Sequence, residues 1–330
     1  MKKIVLGMLS IAFFASNLFA EGISFENEVG SNIVDIEIPQ EGDSSVAFSG
    51  ISETVTVEYE SEKVLASFSA AFVLGNNEDD VFGINWDDEA FDWSVEFIPF
   101  DFLSIIWHKS VTIYGSYLPV VDTNVNGGEM GSDFGVVVSP IENLKIAAGL
   151  GFESLFTGDN AHVILNFGAD YNIKDMVVVG AAAQDIIGDG RSFGVYASYI
   201  GLEGFCINAG YTFNGDIDGM IFGDNLISAS ASFEKDSFAF ALDVATNLGA
   251  DLAYDLYAGV KVDYSINDNL SVGASAMTTF DFASEGFAPS INLYPYGEYV
   301  VNNHTFGFGV DLTICEGVQI GIPVYWKYAF

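Results

Sequence analysis

The sequence predicts an all-β protein folded as a single closed antiparallel barrel of about 16 to 18 strands. Three observations support this prediction: apolar and polar residues alternate with a period of two from Ile23 onward, short turns recur at intervals of about 30 to 40 residues, and connections rich in Gly, Asp and Asn lie between them. We therefore expect a transmembrane barrel with short turns at one end and modest, acidic loops at the other.

The composition combines acidity with hydrophobicity. The 330 residues include 46 Asp and Glu against 10 Lys and Arg, yet 50% are hydrophobic and 15% are aromatic. Acidic chains that are disordered contain few aromatic residues, and a net charge of −36 repels nucleic-acid phosphates. Disorder and nucleic-acid partners are therefore excluded, and the apolar side chains must meet a protein core or a lipid bilayer.

Residues 1–20 are predicted to be a secretory signal peptide. Lys2 and Lys3 precede an apolar run, and a small and polar stretch then ends at Ala20. The apolar run is too short to cross a bilayer as a helix. Residues 21–330 are expected to form one barrel domain, with eight bases against 46 acids and a net charge of −38.

Each predicted strand has one large apolar face and one small or polar face. From His162 to Tyr171, for example, the odd positions are Val, Leu, Phe, Ala and Tyr, whereas most of the even positions are polar or Gly. The polar face carries Gly, Ala, Ser and Thr rather than the Lys and Glu of a soluble sheet, which favours lipid outside the barrel. The pattern slips near Gly50, and Pro323 predicts a bulge or a missing hydrogen bond.

The turns and loops alternate along the chain. The predicted short turns are 61–63, 98–101, 140–143, 172–175, 201–204, 234–236, 266–269 and 301–303. The predicted opposite connections are 75–89, 122–133, 157–160, 188–191, 214–225, 249–251 and 284–286. Cys206 follows a short turn and Cys315 precedes a loop, so the two lie at opposite ends of the barrel and are predicted to be free thiols.

The last predicted strand places apolar and aromatic residues on one parity and ends on Phe330. It resembles the C-terminal strand of Gram-negative outer-membrane β-barrel proteins, and segment 97–103 resembles a turn of spirochaetal barrels. The resemblance implies a porin-like protein of the cell outer membrane in contact with its lipid, in which Trp326, Tyr328 and Phe330 are read by the barrel assembly machinery. Tyr171, Tyr264, Trp326 and Tyr328 would form the aromatic girdle.

A barrel of this size encloses an aqueous channel unless something fills it. The charged residues predicted to line the channel are Glu153, Asp170, Asp243, Lys261, Asp263, Asp281 and Asp311. Carboxylate rings favour cations, so the sequence predicts a cation-preferring pore for passive diffusion of small cationic or neutral solutes. Three alternatives stay open: the acids are merely solvated, the barrel is a structural or adhesin-like surface protein that binds divalent cations, or the chain is a secreted soluble β-protein. A homo-oligomer is compatible with each membrane interpretation.

We predict neither an enzyme, nor a cofactor, nor a metal site. His108 and Ser110 resemble the pair of the outer-membrane phospholipase family, but alternation places both in the lumen and no third partner is evident. Residues 214–219 match half of a calcium-binding loop, but Asn225 replaces the bidentate Glu. Lys109 falls on the lipid-facing parity of a run that extends to Ile113, a conflict that a bulge, a longer turn or snorkelling would resolve.

Overall fold

The computed structural model describes residues 22–40, 42–47, 50–76, 82–108, 111–112, 116–118, 123–125, 129–130, 133–153, 162–187, 191–214, 225–248, 254–281 and 288–330. The strands in these ranges are β1 Ile23–Pro39, β2 Ser45–Ala47, β3 Ile51–Glu60, β4 Val64–Asn76, β5 Phe82–Phe100, β6 Leu103–Trp107, β7 Val111–Thr112, β8 Ser116–Leu118, β9 Thr123–Val125, β10 Glu129–Met130, β11 Phe134–Ile141, β12 Leu144–Glu153, β13 His162–Ile173, β14 Val177–Gln184, β15 Ser192–Leu202, β16 Phe205–Asn214, β17 Asn225–Lys235, β18 Phe238–Leu248, β19 Tyr254–Asn267, β20 Leu270–Asp281, β21 Ala288–Val301, β22 His304–Gly309, β23 Asp311–Ile314 and β24 Gly317–Ala329. Within these ranges no α-helix is long and apolar enough to cross a membrane.

The main sheet closes on itself. Its neighbours pair antiparallel along the chain, and β24 returns to pair with β1, where Phe25 and Phe330 exchange backbone hydrogen bonds of 3.0 Å. β2 and β3 both pair with β1, and β22 and β23 both pair with β21 and β24, so each pair forms one strand of the wall. In the described part of the chain the wall therefore contains 18 strands, which confirms the predicted barrel.

The short turns lie where the sequence predicts them. Between β11 and β12, for example, only Glu142 and Asn143 form the turn, and Asn143 adopts a left-handed backbone with φ 70°. The predicted irregularities are also present: Gly50 (φ 87°) separates β2 from β3, and the β1–β24 register shifts next to Pro323. The predicted connection 75–89 is wrong in part, because β4 and β5 remain paired as far as Asn76 and Phe82.

The two faces of the wall follow the predicted alternation. Residues that pair laterally point to the same side of a sheet, so the register carries each face around the barrel. The outer face exposes large apolar side chains such as Val195 at 55% and Phe308 at 61%, whereas inner positions such as Asn166 and Ser198 are buried. Tyr171 and Tyr264 are exposed on the outer face close to short turns, as a girdle at the membrane interface requires.

A carboxylate and an amide form a polar pair on the outer face of β1 and β3. Glu53 pairs laterally with Val29 and Phe72, so the register places its carboxylate on the lipid-facing side. Asn27 Nδ2 donates a hydrogen bond of 2.7 Å to Glu53 Oε1. Each group satisfies part of the other's hydrogen-bonding need, yet both remain polar groups in an apolar belt.

Replacing both Asn27 and Glu53 with leucine is expected to stabilise the barrel by about 1 to 2 kcal/mol, because the lipid-facing carboxylate and amide are removed together. The measurement is the free energy of unfolding by urea in lipid vesicles. The inward-facing Glu28→Leu serves as the control, since it removes a carboxylate from the same wall without changing the lipid face. A double variant less stable than the parent would show that this patch contacts protein rather than lipid.

Candidate functional site

The inner face of the wall is strongly acidic. Its acids with described side chains are Glu26, Glu28, Asp35, Glu37, Glu58, Glu60, Asp92, Glu96, Asp170, Glu234, Asp243, Asp263, Glu298 and Asp311. The bases on the inner face of the described strands are Lys145, Lys261 and Lys327. The enclosed space is therefore bordered by a large excess of negative charge.

Each of these bases has an acid beside it. Lys327 Nζ lies 2.8 Å from Glu26 Oε1, and Lys261 Nζ lies 3.8 Å from Asp263 Oδ2. Lys145 pairs laterally with Asp170 in the β12–β13 register. These bases are thus matched locally, and carboxylates remain in excess on the described inner face.

Two of the predicted channel-lining acids lie on the inner face but are buried. Asp170 is 6% exposed and Asp243 is 2% exposed. Tyr196 extends over Gly180, the residue that pairs laterally with Asp170, and no side chain larger than hydrogen fits there. Neighbouring groups therefore cover both carboxylates, and that these two acids line a conducting path stays a prediction.

The chain leaves the barrel wall at His108. β6 ends at Trp107, His108 has φ 51°, and its backbone N–H donates to Asp133 O at 3.0 Å as the last bond between β6 and β11. The expectation of one continuous strand as far as Ile113 is therefore wrong. Lys109 lies outside the described residues, and the lipid-facing parity assigned to it no longer applies because it depended on that continuous strand.

The departing segment crosses the interior. Cα atoms of β8 come within 8 Å of those of β15, β16, β17 and β18, although four other strands separate β6 from β15 along the wall. On these strands the inward-facing Ser228 and Ser230 are buried. We define β7 to β10 as the crossing segment, and it occupies part of the space that the barrel encloses.

Part of the lumen wall carries a buried apolar cluster. β7 approaches β11 and β12, and a cluster of inward-facing residues is buried in this half of the barrel. The cluster consists of Ile106, Ala147, Val178, Ala182 and Tyr196. Burial keeps these apolar side chains from water, which stabilises this part of the wall.

The opposite side of the wall carries aromatic residues that sequence reasoning missed. Tyr294, Tyr296 and Tyr325 point inward, and the hydroxyls of Tyr296 and Tyr325 donate to Asp263 and Glu298. The sequence does contain a pattern that identifies two of them. In β21, Tyr294 and Tyr296 share their parity with Asn292 and Glu298, whereas Ile291, Leu293 and Pro295 lie on the other parity.

The remaining predicted site residues divide into two groups. Asp263, Asp311 and Lys261 lie on the inner face with described side chains, whereas Glu153 and Asp281 occupy inner register positions and their side chains lie outside the described residues. That these residues line a conducting path stays a prediction.

The remaining sequence candidates are the His108–Ser110 pair, the calcium-like pattern and the two cysteines. His108 lies 4.0 Å from both Asp92 and Asp133, and Ser110 lies outside the described residues. Residues 215–219 of the calcium-like pattern also lie outside them. Cys206 and Cys315 are free thiols, as predicted.

The last strand places two of the three predicted assembly residues on the outer face. Trp326 donates to His304 Nδ1 at 3.1 Å, and the ring of Tyr328 lies 4.9 Å from that of His304. Phe330 contacts Phe25 across the closure of the barrel, with ring centroids 5.2 Å apart. These contacts stabilise the closing seam. Recognition of the three residues by the assembly machinery stays a prediction.

Comparison with known proteins gives a match in structure and none in sequence. No protein-family model and no curated protein matches the chain. Acinetobacter baumannii OccAB4 superposes with a TM-score of 0.63 at 8% identity, over 94% of this chain and 99% of that chain. Pseudomonas aeruginosa OccK7 (OpdD) gives 0.62 at 10% identity over 94% and 98%, and P. aeruginosa OccD3 (OpdP) gives 0.59 at 12% over 94% and 92%.

These solved structures are Occ/OprD outer-membrane porins of Gram-negative bacteria, and at such low identity the likeness shows the fold. A closed barrel with an apolar outer belt is also the form in which strands cross a bilayer, since every wall strand has two hydrogen-bonded neighbours. The chain therefore has the closed 18-strand β-barrel fold of these outer-membrane porins.

Proposed function

We propose that this protein is a porin-like channel for the passive diffusion of small solutes and that it prefers cations. The observation that carries the proposal is the charge of the inner face, where acids of the described strands far outnumber their three bases and the bases are locally matched. A pore bordered by carboxylates lowers the energy of cations and raises that of anions. The fold shared with porins supports the channel itself.

The proposal predicts a cation-selective reversal potential. The purified barrel is reconstituted into a planar bilayer under an about tenfold KCl gradient at low ionic strength, where charges are least screened. We expect a potential of the sign that shows K⁺ crossing more readily than Cl⁻. A reversal potential of the opposite sign contradicts the proposed selectivity, and a barrel that does not conduct favours a structural or surface-interaction role.

Matched variants locate the source of the selectivity. Glu28→Gln with Glu58→Gln removes two charges from the inner face, and we expect the K⁺/Cl⁻ permeability ratio to fall by about twofold. Glu62→Gln with Glu142→Gln removes two charges from exposed short turns and should leave the ratio unchanged. Equal effects of the two pairs would show that net charge, and not lumen charge, determines the preference.

A further inference from the structure

Three inward-facing tyrosines lie flat along one side of the lumen wall. A Cβ placed on Gly309 would come within 2.6 Å of Tyr294 Cε2, and one on Gly273 would meet the Tyr296 ring at 2.5 Å. Tyr325 overlies Gly307 in the same way. Each ring therefore covers the backbone of a neighbouring strand, and all three side chains remain partly exposed. We call Tyr294, Tyr296 and Tyr325 the tyrosine strip.

Carboxylates hold the strip in place. The hydroxyl of Tyr296 donates to Asp263, and that of Tyr325 donates to Glu298. The rings of Tyr294 and Tyr296 are 5.2 Å apart and inclined by 24°. Because hydroxyls and backbone contacts fix the rings, a ligand does not have to order them when it binds.

The structure already places an ammonium group on this strip. Lys261 Nζ lies 5.9 Å from the centre of the Tyr296 ring and 3.8 Å from Asp263 Oδ2. A ring face beside a carboxylate attracts an ammonium group through the ring quadrupole and the negative charge together. Lys261 thus acts as an internal ligand and shows which chemistry the strip accepts.

Tyr294 offers the same combination of groups. Leu293 pairs with Leu312 in the antiparallel register of β21 and β23, so the next residue of β21, Tyr294, lies beside Asp311. Asn292 Nδ2 donates to Asp311 Oδ1 at 2.6 Å and orients that carboxylate. A second ring and a second oriented carboxylate therefore lie beside the position that Lys261 fills.

We propose that the tyrosine strip binds organic cations, namely solutes that carry an alkylammonium group, as they pass through the lumen. The inference rests on the proposed pore function and names the solute class that the pore retains longest. Alkylammonium ions bind better than K⁺ because they are weakly hydrated and place apolar surface on the rings. Lys261 competes for one of the two positions.

Block of K⁺ current by tetraethylammonium chloride tests the proposal. We expect a concentration-dependent block in the reconstituted barrel, and Tyr294→Leu should raise the half-blocking concentration about fivefold. Tyr299→Leu is the matched control, because it makes the same substitution on the same strand at an outward-facing residue that is 48% exposed. Lys261→Gln should lower the half-blocking concentration, since it frees the ring of Tyr296.

A second measurement separates this inference from the pore function. Saturation-transfer NMR of tetraethylammonium with the detergent-purified barrel reports binding whether or not the barrel conducts, and the signal should weaken in Tyr294→Leu but not in Tyr299→Leu. Current without block, or block and NMR signal that are equal in the two variants, overturns the strip and leaves the pore proposal standing. Binding without current overturns the pore proposal instead.

Discussion

Deleting residues 111–130 is expected to raise the single-channel conductance at least about threefold, because an 18-strand barrel without an internal segment leaves a wide aqueous lumen. The deletion removes β7 to β10 and keeps Lys109, Ser110, Gly131 and Ser132 as a short connection. The ends can be joined this way because His108 N and Asp133 O are already 3.0 Å apart. Single-channel recording in a planar bilayer measures the change.

An assay of folding serves as the control for this deletion. Heat-modifiable mobility on a gel shows whether the barrel still closes, and we expect some loss of stability because the cluster around Ile106 and Ala147 becomes wetted. A folded deletion variant with the parent's conductance would show that the crossing segment does not narrow the path. In that case another part of the lumen limits the current.

Replacing Gly204 with alanine is expected to destabilise the barrel by about 2 to 5 kcal/mol. Gly204 forms the short turn between β15 and β16 with φ 72°, a backbone conformation that L-residues adopt only at a cost. A Cβ there would also overlap the carbonyl oxygen of Glu234 on the next hairpin. Backbone cannot move aside as a flexible side chain can, so the hairpin must shift, and urea unfolding in lipid vesicles measures the loss.

Asp236→Ala provides the comparison for Gly204. Asp236 has a similar left-handed backbone, with φ 52°, but it is an exposed turn residue that already carries a Cβ. We expect its replacement to cost about 1 kcal/mol or less. If both variants lost the same stability, the left-handed backbone alone would explain the effect and the contact with Glu234 would contribute nothing.

The face of each strand residue was predictable because the side-chain period of a strand is two. The assignment of Lys261, Asp263 and Asp311 to the inner face followed from alternation alone. A shift of one residue would have moved every side chain of the strand to the opposite face, so the apolar residues of each strand determine where its charged residues lie. The eight short turns were predictable for a similar reason, because few residue types form tight connections between antiparallel strands. Prediction from alternation failed at His108, because the apolar and polar residues continue to alternate in the sequence beyond Trp107, where β6 ends.

The tyrosine strip was not predicted, because its significance depends on lateral neighbours. Tyr294 and Gly309 are distant in sequence, and only the register of β21 with β22 brings the ring over the glycine. The burial of Asp243 has the same origin, since its lateral neighbours Ser230 and Gly259 belong to other strands. Patterns within one strand contain no information on either contact.

The sequence by itself determined that this protein is a membrane-spanning barrel with an apolar outer surface and an acidic interior, because periodicity and charge are local properties. Only the tertiary structure decided that the barrel closes at 18 strands, that a segment leaves the wall at His108 to cross the lumen, and which acids remain accessible. Closure, crossing and burial each require residues distant in sequence to meet. Such contacts follow from the register of the whole sheet, which no single strand specifies.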